Sequence, residues 1–193
     1  MLRIYVKNPA APVEVPVLAL ELTFDDIANV PVADAASVSD WNTFFDLPTN
    51  GTAFTSVEVV GDMVRLIGGS GITLAEYLFF ENVYLRKFID YAGSVIGIKS
   101  NCFWNSWNTE FYLPSVAFIE PNGLRDNAYC GIYYLPLCVD MGGSVYNDHV
   151  FDISTPRIIN ITIPSALMTC NDGDPDGDIA ELIANNTVTI VTV

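Results

Sequence analysis

Phe111-Tyr112-Leu113-Pro114, Tyr133-Tyr134-Leu135-Pro136 and Ile161-Thr162-Ile163-Pro164 are one phrase written three times. Each is a short apolar strand stopped by proline, which removes a ladder donor where pairing should cease. Working outward, Phe88, Phe111 and Tyr133 fall in one column at offsets of 23 and 22 residues, and Ile96, Ile119 and Met141 fall in another. Phe80-Glu81-Asn82 sets over Phe103-Trp104-Asn105 and over Arg125-Asp126-Asn127. Gly97 and Gly142 share a column that Glu120 interrupts, as glycines do where a turn needs positive φ. A fixed period in the low twenties predicts a solenoid, in which each repeat buries its apolar face only against its neighbours.

The flanks are read around that core. Phe54–Val60 and Met63–Ile67 predict a hairpin turning at Gly61-Asp62, and Leu66 lies about one repeat before Phe88, which makes the hairpin a candidate first rung. Upstream, Leu2–Lys7 reads as a strand, and Val13 to Leu22 as another whose alternation changes phase at a bulge or bend near Val17, where Pro16 suits an edge strand. Phe24–Asn29 predicts a helical turn. Ser39–Leu47 predicts a helix capped by Ser39 or Asp40, with Trp41, Phe44 and Phe45 on one face. Gly68-Gly69-Ser70-Gly71 lacks the Lys-Ser/Thr of a phosphate loop and reads as a flexible turn, and Thr73–Glu76 as a capping box for a short helix through Phe80. Downstream come an acidic loop over Asp172–Asp178, a helix with Asp178 as N-cap, and a β-branched strand Thr187–Val193 expected to close the open end. The fold expected is mainly β with short helices: an N-terminal β segment over residues 1–53 as cap or intersubunit arm, a leucine-rich-repeat-like solenoid over 54–170, and a helix-strand cap over 171–193.

Two groups of residues carry a family resemblance. Asn127-Ala128-Tyr129-Cys130 with Leu135-Pro136, and Asn105 to Asn108 with Leu113-Pro114 and Ile119, resemble the irregular leucine-rich repeats of bacterial surface antigens. Ile163 to Met168, then Pro175 to Ile179 and Asn185 to Ile190, resemble the closing segment of such proteins in phages and prophages of Bacteroides- and Flavobacterium-type bacteria. The second likeness implies a virion or prophage setting.

Apolar residues make up 51% of the 193 and charged ones 16%, which excludes a disordered chain. Acidic residues number 23 against 8 basic, a formal charge of −15 that repels a nucleic-acid duplex or an anionic membrane surface. The opening Met1-Leu2-Arg3-Ile4-Tyr5-Val6 reads as a strand rather than a secretion signal. No apolar run reaches the roughly eighteen residues of a membrane span. A soluble product of the bacterial cytoplasm, then carried in the virion, is the expectation. Cys102, Cys130, Cys138 and Cys170 have no CxxC spacing and read as buried small hydrophobes.

Candidate chemistry is sparse. Asp172, Asp174, Asp176 and Asp178 carry oxygen ligands at alternate positions, as the start of a calcium loop does, but Ile183 stands where the bidentate Glu belongs. An acidic helix N-terminus explains the same residues without a metal, so no cofactor is expected and calcium is the one candidate. His149 is the only histidine, and no Gly-x-Ser-x-Gly elbow occurs. Aromatics are the stronger feature. Neighbours along a strand point to opposite faces, so with Phe111 and Leu113 inside, Tyr112 and Tyr134 stand outside as a ladder. Trp104 and Trp107 join them as candidate binding residues, since aromatic rings give contact area at low entropic cost.

The function expected from these readings is non-enzymatic: a phage virion structural protein, as capsid decoration, head fibre, baseplate or tail component, that presents an interaction surface for host recognition. Its expected partners are other virion proteins or copies of itself, with a host surface glycan or protein in addition. Two alternatives stand beside it, an adhesin or glycan-binding module working through Tyr112 and Tyr134, and a hydrolase with carboxylates in the solenoid groove.

Overall fold

The computed structural model describes residues 17–142, 150–151, 156–168 and 177–193. Twelve strands are described: β1 (Leu18–Phe24), β2 (Thr52–Val60), β3 (Met63–Ser70), β4 (Ile72–Leu74), β5 (Leu85–Asp90), β6 (Val95–Ile98), β7 (Glu110–Tyr112), β8 (Phe118–Ile119), β9 (Ile132–Tyr134), β10 (Asp140–Met141), β11 (Ile158–Ile163) and β12 (Thr187–Thr192). Two α-helices, α1 (Val38–Phe44) and α2 (Asp178–Asn185), and 3-10 turns at Ile27–Asn29 and Ser165–Met168 complete the described elements. The strands form an eight-stranded mixed sheet in the order β12-β11-β9-β7-β5-β1-β3-β2 and a four-stranded parallel sheet in the order β10-β8-β6-β4.

The leucine-rich-repeat-like solenoid expected over 54–170 is therefore corrected. The repeat strands β5, β7, β9 and β11 make four of the eight strands of a mixed sheet, β12 adds to them in parallel, and β1, β3 and β2 extend that sheet antiparallel instead of capping it. The repeats of β5, β7 and β9 each also give a second strand, β6, β8 and β10, to the smaller sheet, since the segments after Asp90, Leu113 and Leu135 keep apolar positions suited to pairing. The hairpin β2–β3 turns at Gly61-Asp62 as read, with Gly61 at φ +59, yet it is not the first rung. Leu66 pairs with Leu20 and Val57, and β1 is the strand that lies against β5. β1 is thus central rather than an edge, and the boundary placed at residue 53 falls inside β2. At the other end β12 adds parallel to β11 as an edge strand, so it lengthens the sheet rather than closing it.

Column by column, the repeat reading meets the structure unevenly. Phe88, Phe111, Tyr133, Ile161 and Ile190 lie level across β5, β7, β9, β11 and β12. In the smaller sheet the residue level with Ile119 and Met141 is Ile98, whereas Ile96 is 41% exposed. Gly97 lies level with Phe118, and a Cβ on it would meet that ring at 2.1 Å. Close approach, not a positive φ, is what this position requires. In the loops before the strands Phe79 stacks on Phe103 with centroids 5.0 Å apart, so Phe79 and not Phe80 holds that level. Phe103 N–H donates to Gly123 O, which brings Leu124 rather than Arg125 level with Phe103. The loops repeat at 24 and 21 residues while the strands keep 23 and 22. Left-handed residues absorb the difference at Tyr77, Asn101 and Asn122 and again at Glu81, Asn105 and Asp126, and Asn and Asp tolerate that conformation best.

One continuous core joins both sheets and the N-terminal segment. Helix α1 starts at N-cap Ser37, whose hydroxyl accepts from Asp40 N–H, rather than at Ser39 or Asp40. It buries Trp41, which leads through Phe45 to Phe79, Phe103, Phe111, Tyr133 and Phe151 in an unbroken chain of ring contacts. Burying each such ring contributes about 1.5–3 kcal/mol. No helix forms after Thr73; Ile72–Leu74 is β4, and the glycine cluster before it belongs to β3 and its turn. Gly177, at φ 74, takes the N-cap place of α2 that Asp178 was expected to hold. No helix among the described residues is long and apolar enough to cross a membrane.

Candidate functional site

The outer face of the large sheet is set by alternation. Glu58, Arg65, Glu21, Ile89, Tyr112, Tyr134, Thr162 and Val191 form one cross-strand row, level from β2 to β12. Within it Tyr112 and Tyr134 stack with centroids 4.4 Å apart and planes 3° from parallel. The alternate neighbours Phe111 and Tyr133 point inward and are buried. Burial beside its neighbours, then the adjacent Tyr134, pushes the Tyr112 hydroxyl above its ordinary pKa. The ladder expected from the sequence is therefore present as two rings packed face to face.

Tyr112 also lines a hollow of about 390 Å³ together with Glu21, Lys87, Ile89, Tyr91 and Glu110. Ile89, 7% exposed, supplies its apolar part. Every polar group around it is held. Arg65 Nε donates to Glu21 Oε2 at 2.9 Å, Lys87 Nζ to Glu110 Oε2 at 3.0 Å, and the Tyr91 hydroxyl to Glu21 Oε1 at 3.4 Å. Burial, then Glu21, pushes the Tyr91 hydroxyl above its ordinary pKa. No family model, no curated protein and no solved structure matches this chain. The site is thus read from its own geometry.

The two tryptophans stand elsewhere, in the loops before β7. Trp104 donates from Nε1 to Asp126 Oδ2 at 2.8 Å, and the Arg125 guanidinium lies over its ring at 5.5 Å. That ring is engaged by the loop stack itself. Trp107 lies edge-on to Tyr129 at 5.2 Å, with the Arg86 guanidinium 5.4 Å from its ring centre, and together with Thr109 they line a separate cleft of about 300 Å³. Arg86 is held by Asp25 and by the carbonyls of Val83 and Trp107.

Asp172, Asp174 and Asp176 lie outside the described residues, as do His149 and Cys170; Asp178 begins the backbone of α2. Among the described residues no group of three or more His, Cys, Asp or Glu side chains is placed to hold a metal ion. Cys102, Cys130 and Cys138 are buried, and burial raises the thiols of Cys102 and Cys130, the latter to about 12. Thiols raised in this way are poor nucleophiles.

Sequence reasoning found Tyr112 and missed the rest of the hollow. Glu110 was within reach, two residues before Tyr112 on the same face, and Lys87 and Ile89 sit one repeat earlier. Glu21 carried no such signal, because only the insertion of β1 beside β5 brings it there.

Proposed function

We propose that this chain is a non-enzymatic structural protein that presents a recognition surface, and that the surface is the outer face of the large sheet around Tyr112 and Tyr134. The observation that carries the reading is the stacked pair itself: two large aromatic side chains held parallel at 4.4 Å on the face opposite the core. Held rigid in this way, aromatic rings lose little entropy when a partner covers them. The carboxylates nearby are tied into ion pairs with Arg65 and Lys87, which suits acceptors of hydrogen bonds better than carriers of protons.

The assembly in which we place it is a phage virion. That part of the proposal rests on the likeness of the segment from Ile163 to Ile190 to closing segments of phage proteins. An assembled state gains support from β12, whose residues Thr187–Thr192 carry no charge and no proline and whose outer edge has no strand partner among the described residues. An uncharged, unbroken edge strand is a ready template for another chain. Light scattering of the purified chain over a range of concentrations tests the assembly, and a closed oligomer of constant mass is expected. A monomer at every concentration removes the assembly from the proposal and leaves a binding module.

A further inference from the structure

Taking the recognition face as its starting point, we infer that the hollow beside Tyr112 is a binding site for a single neutral pyranose ring. Four observations lead there. First, Tyr112, whose ring is stacked on Tyr134, and Ile89 both line the hollow and give it an aromatic and an aliphatic component. An aromatic face next to aliphatic surface accepts the C–H side of a sugar ring, where a planar anion finds only the negative face of the ring quadrupole.

Second, the polar groups around the wall are those that pair with hydroxyls: the carboxylates of Glu21 and Glu110, the Lys87 ammonium and the Tyr91 hydroxyl. A hydroxyl donates and accepts at once. Third, both carboxylates of the hollow already have cationic partners. Glu21 and Glu110 are each ion-paired, with Arg65 at 2.9 Å and Lys87 at 3.0 Å, while Glu58 stands level with Arg65 in the same row, in a chain whose formal charge is −15. An anionic ligand gains nothing there from the field, and a cation finds the carboxylates already paired, whereas a neutral polyol gains hydrogen bonds to ionised partners, the stronger kind. Fourth, at about 390 Å³ the hollow falls within the roughly 300–1,000 Å³ of small-ligand sites.

Ion pairing also holds these groups in place before a ligand arrives. Glu21 is fixed by Arg65 and Tyr91 from one side, and Glu110 by Lys87 from the other, so little side-chain entropy remains to be lost. One ring in an open hollow implies weak binding, with Kd roughly in the millimolar range. Useful affinity then comes from several copies acting together.

Titration of the full chain with the methyl glycosides of glucose, galactose and mannose, followed by ligand-observed NMR, tests the inference. Glucuronate and glucosamine serve as charged counterparts. Saturable binding of at least one neutral glycoside is expected, several-fold tighter than either charged sugar and unchanged between low and high salt, because screening acts only on charge. Tyr112→Ala should weaken it at least tenfold, and Tyr91→Phe, which removes one exposed hydroxyl without touching the core, several-fold. Binding that persists in Tyr112→Ala, a preference for a charged sugar, or a strong salt dependence would each overturn the assignment. So would the absence of saturation by all three neutral glycosides. If they fail to bind while Tyr134→Ala lowers the oligomer mass seen by light scattering, the sugar site is wrong and the recognition face stands; loss of neither glycoside binding nor oligomer mass in the two tyrosine variants removes both.

Discussion

The antiparallel corner of the large sheet and its parallel run are held by different means. Strands β2 and β3 are nine and eight residues long and pair along most of their length, so backbone hydrogen bonds specify their register. In the parallel run β7 and β9 have three residues each, and in the smaller parallel sheet beside it β8 and β10 have two. Ladders that short do not set a register by themselves. Side chains set it: the ring stack from Phe79 to Tyr133, and a buried polar relay in the loops, where Asn127 Nδ2 donates to Phe103 O at 2.9 Å and to Leu124 O at 2.8 Å while Ser106 Oγ donates to Asn127 Oδ1 at 2.6 Å. The lesson is that repeated short strands put their stability into what lies between the strands.

The largest effect should follow from breaking the stack. Phe103 touches Phe79, Phe88 and Phe111 and is fully buried. Phe103→Ala should cost about 3–5 kcal/mol in urea unfolding, through lost transfer energy and a cavity. A cost under about 1 kcal/mol would mean that the short ladders, not the rings, hold the parallel run.

Next comes the relay. Asn127→Ala removes the side-chain donor to the Leu124 carbonyl and one acceptor of the Ser106 hydroxyl, while Phe103 O keeps the Ser106 N–H and hydroxyl, and a loss of about 1–3 kcal/mol is expected. Hydrogen exchange should show it first in the loops around Phe103 and Leu124.

A smaller and pH-dependent effect sits where the two regions meet. Asp90 occupies the core column that Leu113, Leu135 and Ile163 fill in later repeats, and its carboxylate accepts from the backbone N–H groups of Ser94 and Val95, both at 2.8 Å. Burial raises its pKa above the ordinary 3.8 despite those bonds. The folded state therefore holds this proton more tightly than the unfolded chain does. The contribution is fully present below 3.8 and is lost as pH rises through the raised value. Comparing Asp90→Asn with the parent across pH 3 to 7 isolates it: the parent should lose stability relative to the variant as pH rises, by at most about 1.4 kcal/mol per unit of pH. A flat difference would show that the backbone donors cancel the burial.

The smallest effect belongs to the antiparallel edge. Val59 in β2 is 39% exposed, and Val59→Thr should change stability by less than about 0.5 kcal/mol, because the backbone ladder to β3 is untouched. A larger loss would place the side chains of that edge in the same role as the rings of the parallel run.

Much of this was legible in the sequence. Alternation with proline stops marked β7, β9 and β11, the column Phe88, Phe111, Tyr133 was read residue for residue, and Gly61-Asp62 announced its hairpin. The outward pair Tyr112 and Tyr134 followed from the same alternation. Local chemistry suffices for these, since a strand's period and a turn's φ are properties of neighbouring residues.

Tertiary structure alone decided the rest. A period says that units stack, but not what the first unit stacks against, and that choice went to β1, whose Leu20 and Leu22 fit the same core. It turned an expected capped solenoid into a mixed sheet and carried Glu21 beside Lys87 and Tyr112. The slip from Phe80 to Phe79 was equally hidden, because left-handed residues in the loops absorb one residue without disturbing the strands. Pairing between segments far apart in the chain is settled by which apolar faces complete one another, and no local pattern records that.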